Sequence, residues 1–151
     1  MYDCIMGCDP GASGSFAFLY PSRPELIAVY DAPVVGKEIN ASALYDLIQQ
    51  HRPQLAIIES VHAFKGQGVS SSFVFGQAFG TAIGVIGASK IPLVRVSPQR
   101  WKKYFGLDAD KEKARALAIS KWPASEHFRR KMDHNRAEAA LLALYGHQTQ
   151  A

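Results

Sequence analysis

Short apolar runs bounded by turn residues dominate the first third of the chain, and longer runs of helical period dominate the rest. Tyr2 to Cys8 is an apolar run that ends in Asp9, and residues 10–14 follow as a tight turn of Pro, Gly, Ala, Ser and Gly. Phe16 to Tyr20 resumes as a strand, residues 21–24 turn the chain again, and Leu26 to Tyr30 reads as a third strand. Three strands joined by short turns predict an antiparallel meander. Ala41 to His51 carries Leu44, Leu47 and Ile48 at helical spacing, with Asn40 placed to cap it and Pro53 beyond its end. Leu55 to Ile58 is an unbroken apolar run that ends in Glu59, the pattern of a buried parallel strand.

Residues 60–70 read as a loop, and a long apolar helix follows from about Ser71. Gly76, Gly80 and Gly84 recur on one face of it, which suits a close backbone approach. The stretch from Gly66 to Ser89 has no charge, but its apolar part is broken by Gln77, Thr81 and glycines and is short against a span of about 20 residues. It is read as a buried helix with no membrane role. Pro92 to Val96 is another strand, and Ser97 and Pro98 start a helix that contains Trp101 and Tyr104 and stops at Gly106. Asp110 is placed to cap a helix from Lys111 to Trp122, and the last helix begins near Asp133 and carries Ala137, Leu141, Leu142 and Leu144. The order is mixed α/β, with crossover helices leading into parallel strands, and residues 1–151 are expected to form one domain.

Composition excludes a disordered chain: 48% of residues are apolar and 20% charged. The formal charge of +4 is unevenly spread. Residues 1–88 hold four basic and seven acidic side chains, net −3, and residues 89–151 hold thirteen basic and six acidic, net +7. An acidic half suits a metal and a basic half suits a polyanion; a solvated basic face is the plainer alternative. Cys4 and Cys8 lie on one strand, roughly 13 Å apart. A disulfide needs Cα atoms within about 7 Å, so reduced thiols are expected. With no signal-peptide pattern at the N-terminus, the expected location is the cytoplasm.

Three acids stand out. Asp9 and Glu59 each follow an apolar strand, and neighbouring strands would bring both to one edge of the sheet. Glu138 lies amid alanine and leucine on the last helix, where an acid is costly without a positive partner. Converging carboxylates repel, and a divalent cation relieves that; oxygen ligands favour magnesium or manganese over zinc. Each acid also has a plainer role: a turn-forming Asp9, a solvated Glu59 at a strand end, and a Glu138 ion pair with Arg136 or Lys131.

The order of these pieces carries a resemblance. Residues 7–11, Gly-Cys-Asp-Pro-Gly, with Gly14 resemble the first motif of RuvC-type Holliday-junction resolvases, nucleases of the RNase H-like superfamily. Residues 57–61, Ile-Ile-Glu-Ser-Val, are similar to their second motif, and residues 75–80, Phe-Gly-Gln-Ala-Phe-Gly, to the stretch that follows it. Trp101-Lys102-Lys103 and Asp110-Lys111-Glu112 resemble their two lysine segments, and residues 137–141 their terminal Ala-Asp-Ala-Leu motif. The matches run in order from about residue 4 to 145, and the short chain with Glu138 for the last Asp looks more like phage-encoded members. The resemblance implies an RNase H-like α/β fold, a mixed five-stranded sheet with helices on both faces. It also implies a homodimeric endonuclease that resolves four-way DNA junctions by paired symmetric nicks, in phage or bacterial DNA processing. Two Mg2+ ions per site, with Mn2+ able to substitute, would be held by Asp9, Glu59 and Glu138, and no nucleotide cofactor is implied. The alternatives are a branched or flap DNA nuclease of the same fold and a catalytically silent junction-binding protein. A sugar-kinase-like ATPase is disfavoured by length.

The family's fourth metal-binding position falls on Asn135. Three readings stay open: Asn135 is a weak ligand through its amide oxygen, His134 or Asp133 substitutes after a small shift, or the amide stands where an Asp was replaced to stop cleavage. At about 100° per residue, His134 and Asn135 share the face of Glu138, and Asp133 is better placed as an N-cap. The resemblance puts Lys102 and Lys111 near the scissile phosphate. Lys103, Lys113, Arg115, Arg129, Arg130 and Lys131 could hold the DNA backbone. In the loop after Glu59 the family's wedge position falls on His62, with Phe64 two residues on and Lys65 and Gln67 as further DNA contacts. The glycine-faced helix is either an internal packing helix or, by resemblance, a subunit contact.

Overall fold

Strand β1 (Ile5–Asp9) has apolar side chains on both faces, so it is buried on both and takes the middle of the sheet. A computed structural model describes residues 1–150. After β1, β2 (Ser15–Leu19) and β3 (Ile27–Asp31) complete the expected antiparallel meander, with Asp9 opposite Ser15 and Ser15 opposite Asp31. A small hairpin of β4 (Val34–Val35) and β5 (Glu38–Ile39) follows, which no sequence pattern predicts. Helix α1 (Ala41–His51) is capped by the Asn40 side chain, which accepts from Ala43 N at 3.1 Å. Strand β6 (Leu55–Glu59) then pairs in parallel with β1, and α2 (Val69–Ala88) crosses to β7 (Leu93–Val96), which pairs in parallel with β6. The sheet order is β3-β2-β1-β6-β7, the mixed five-stranded arrangement expected.

Helices cover both faces. Cys4, Met6 and Cys8 face one core with Leu44 and Ile48 of α1 and Ala78, Ala82 and Ile86 of α2; both thiols are buried and free. On the other face Ile5, Ile57 and Val96 pack with α3 (Pro98–Tyr104), α4 (Lys111–Lys121) and α5 (His134–Gln150). Ser97 and Asp110 cap α3 and α4 through their side chains, accepting from Arg100 N and Glu112 N.

Helix α5 is buried from Ala137 to Gly146 because it lies directly on the central strands. A Cβ on Gly7 would stand 2.0 Å from the carbonyl oxygen of Ala139 and 2.5 Å from the amide nitrogen of Ala143. Only a glycine in β1, facing alanines in α5, lets the two backbones touch.

Helix α2 departs from expectation. It is not buried all round: Ala78, Ala82 and Ile86 meet the sheet, while Val69 and Phe73 are exposed, Phe73 at 71%. The glycines do not serve a close approach within the chain, since a Cβ on Gly76, Gly80 or Gly84 would meet no atom within 4 Å among the described residues. Alanine, not glycine, forms the inner stripe, and the uniform apolarity of the helix hid which side was which. By length and apolarity alone α2 could cross a membrane; its inner stripe on the sheet assigns it to the fold instead.

The β1–α5 contact predicts that Gly7→Ala lowers stability by about 3 kcal/mol or more, because backbone on both sides cannot yield as a side chain could. Urea unfolding measures it; a loss under about 1 kcal/mol would mean that the two backbones part easily.

Candidate active site

Strand register brings the first two acids together. Cys8 pairs with Ile58, so Asp9 and Glu59 leave the ends of adjacent parallel strands side by side. The 10–14 turn behind Asp9 closes tightly: Gly14 N donates to Gly11 O at 3.1 Å, and a Cβ on Gly14 would stand 2.1 Å from the Asp9 carbonyl oxygen. Because α5 rests on β1, Glu138 arrives at the same edge. The three acids line one open cleft of ≈ 660 Å³ with Lys102, Lys111, His134 and Asn135.

The electrostatics are those of crowded like charges. Loss of hydration, followed by repulsion from Glu138 and Glu59, holds the Asp9 carboxyl well above the usual carboxylate range, against the pull of Lys111 and Lys102. Burial also raises Glu59, opposed chiefly by a hydrogen bond from the Trp101 indole N–H to its Oε2 at 2.7 Å. Glu138 is 7% exposed, and Lys102 Nζ stands 3.6 Å from its Oε1. Its positive partner is therefore Lys102, where the sequence suggested Arg136 or Lys131; Arg136 instead clamps Asp31, at 2.7 and 2.8 Å.

The donor chemistry fits a hard divalent cation: oxygen ligands in mutual repulsion. Ser15, cross-strand from Asp9 and behind the residues that line the cleft, carries a buried hydroxyl with no hydrogen-bond partner among the described residues. The side chains are not gathered onto a single point. Among the described residues no three acidic, histidine or cysteine side chains converge as a ready-made metal cluster. Glu138 is turned to Lys102 and Glu59 to Trp101.

The fourth position takes on a definite geometry. Asn135 Nδ2 donates to the Ser13 carbonyl at 2.6 Å, tying α5 to the turn beside Asp9 and leaving the amide oxygen as the group available to a ligand. His134 lines the cleft. Asp133 is buried, and its carboxylate turns back to accept from Arg130 N at 2.8 Å and Arg130 Nε at 3.0 Å, so it is committed to the start of α5.

The cations divide likewise. Lys102 and Lys111 line the cleft. Lys103 lies outside it, in a groove with Arg100 and Tyr104. Lys113 pairs with Asp108, Arg115 with Glu112 and the carbonyls of Phe128 and Arg129, Arg129 with Glu126, and Arg130 with Asp133. Lys131 is exposed. In the 60–68 loop His62, Phe64 and Lys65 are exposed, Phe64 at 69%, which excludes a core role for it. Gln67 N donates to the Phe64 carbonyl at 3.0 Å and shapes that turn.

Sequence reasoning gave no site role to two residues at or beside the cleft. Trp101 stands in a segment singled out for its lysines, and nothing in its spacing signals its bond to Glu59. Lys37, on the β4–β5 hairpin tip, also lines the cleft.

Raised carboxyl groups cost stability at neutral pH. A carboxyl whose folded value lies above its unfolded one contributes stability at low pH and loses it as pH rises through the folded value. Asp9→Asn is therefore expected to raise the melting temperature of the metal-free protein at pH 7, by about 2–4 °C for each kcal/mol relieved. It should also flatten the dependence of stability on pH. An unchanged or lower melting temperature in calorimetry would refute the cost assigned to burial and repulsion at Asp9.

No family model matches the chain, and no curated protein matches it in sequence. Solved structures do. Thermus thermophilus RuvC in complex with a Holliday junction substrate is 16% identical, with a TM-score of 0.66 over 98% of this chain and 98% of its own. The yeast mitochondrial Holliday junction resolvase Ydc2 is 14% identical, at 0.56 over 92% of this chain and 76% of its own. The fowlpox virus resolvase, solved with Holliday junction DNA, is 12% identical, at 0.57 over 96% and 99%. The mixed sheet, its two helical layers and these likenesses together give the chain the RNase H-like fold in the form that Holliday-junction resolvases take.

Proposed function

We propose that this protein is a structure-selective, metal-dependent DNA endonuclease that resolves four-way junctions by paired symmetric nicks. The observation that carries the reading is the meeting of Asp9, Glu59 and Glu138 at one sheet edge, with Lys102 and Lys111 beside them, in a resolvase-type fold. Asp9, Glu59 and Glu138 would hold the metal, with the Asn135 amide oxygen as a neutral fourth donor. Two Mg2+ ions, or Mn2+ in their place, would supply an activated water and stabilise the leaving 3′ oxygen of an in-line displacement. Lys102 and Lys111 face the scissile phosphate and balance its charge. Phe64, standing free at the loop tip, stacks on bases unpaired at the crossover, with His62, Lys65 and Gln67 around it. The remaining basic residues at the surface, Lys103 and Lys131 first among them, hold the backbone in a salt-sensitive way.

A junction presents two strands of like polarity, so paired nicks need two sites related by a twofold axis. The outer face of α2, with Phe73 exposed and Gly76, Gly80 and Gly84 open, is the surface we assign to that contact. A Cβ at Gly80 meets no atom within 4 Å among the described residues, so Gly80→Glu should leave the fold intact while shifting the protein to monomer. Sedimentation equilibrium measures this, and a dimer as tight as wild type would move the contact elsewhere.

Cleavage of a labelled synthetic four-way junction in Mg2+ and in Mn2+, with this chain beside its Asn135→Asp and Asp9→Asn variants, tests the function. Symmetric cutting by the chain itself, lost in Asp9→Asn with junction binding retained, is the expected result. Cutting only by Asn135→Asp would make the chain a silenced junction binder. No cutting by either would sink the nuclease reading.

A further inference from the structure

Trp101 is fully buried in the core on the α5 side of the sheet, yet its one polar atom leaves that core: the indole N–H donates to Glu59 Oε2 at 2.7 Å. Indole is a donor only, so a buried tryptophan must find an acceptor, and a half-buried carboxylate must find donors. Each group answers the other. Glu59 Oε1 has no hydrogen bond among the described residues, and Glu59 lines the cleft. The next residue of the same short helix, Lys102, holds Glu138, with its Nζ 5.5 Å from the centre of the Trp101 ring. Two consecutive residues of α3 thus grip two of the three acids.

We propose that Trp101 is a positioning residue for Glu59, pinning one carboxylate oxygen so that the other alone is offered to a divalent cation in the cleft. The inference rests on the metal-dependent reading above and adds a residue to it. A tryptophan that only filled space would do so without its N–H. One that positions a ligand must register what that ligand binds.

The test is a Mg2+ titration of the 15N-labelled wild-type protein, following its two indole N–H resonances, with calorimetry alongside. Trp101 is identified by its contacts to Lys102. Its resonance should move saturably with Mg2+, while that of Trp122, whose N–H donates to the Pro24 carbonyl at 2.9 Å, stays still. In Asp9→Asn the movement should vanish. Trp101→Phe keeps an aromatic ring, smaller than the indole, and loses the donor; it should weaken Mg2+ binding by about tenfold and leave junction affinity in EDTA unchanged. A stationary Trp101 resonance while calorimetry records Mg2+ uptake would overturn the proposal, as would a folded Trp101→Phe protein that binds Mg2+ like wild type. If that variant does not fold, the wild-type titration decides. Calorimetric silence of the wild type would be a different failure: it would remove the metal-dependent reading, and the proposal with it.

Discussion

The backbone of α5 rests on the backbone of β1, and the rest of the structure follows from that contact. Gly7 lies against Ala139 and Ala143. Asp9 is two residues beyond the contact along the strand, and Glu138 is one residue before it along the helix. A side chain at position 7 would push the helix off the sheet and move Glu138 from the cleft edge. The separation of the two acids is thus set by main-chain atoms, which cannot adjust by changing rotamer. Gly146, further along α5, makes room for side chains instead: a Cβ there would stand 2.5 Å from Ile57 Cγ1.

Such packing forces like charges together and leaves the protein to compensate. Lys102 and Lys111 offset part of the repulsion, and Trp101 stabilises Glu59 by a hydrogen bond. Asn135 contributes by carrying no charge: its amide donates to the Ser13 carbonyl, where a carboxylate would face oxygen with oxygen. Without bound metal, an amide at that position is the electrostatically easier choice.

The acids and the sheet were legible in the sequence because their signals are local and redundant. An apolar run ending in an acid places that acid at a strand end whichever neighbour the strand takes; that β1 and β6 are neighbours, across two strands, a hairpin and α1, is shown by the sheet itself. Caps at Asn40, Ser97 and Asp110 were readable for the same reason. What escaped was relational. The outer face of α2 could not be told from its inner face, because glycine and alanine both suit close packing and only the sheet beneath decides between them. The β4–β5 hairpin is too short to show alternation, so Lys37 went unplaced. Arg115 reaches the carbonyls of Phe128 and Arg129 on a segment whose approach no periodicity encodes, whereas its pair with Glu112 and that of Asp133 with Arg130 are local, three residues apart. Trp101 is part of the core, and its hold on Glu59 depends on one atom.

The cleft is mechanically asymmetric. Its β1–α5 wall is welded by main-chain contact, so Asp9 and Glu138 can only travel together. Elsewhere the cleft is lined by the start of α2 and by Lys102 of α3, a seven-residue helix between the Ser97 cap and a left-handed Gly106 that holds Glu59 and Glu138 through side chains. A rearrangement of the cleft that kept the β1–α5 contact would fall on α3 and the 60–68 loop. A crosslink spanning those two would stiffen the cleft, whereas one between α5 and the sheet would change nothing that is not already fixed.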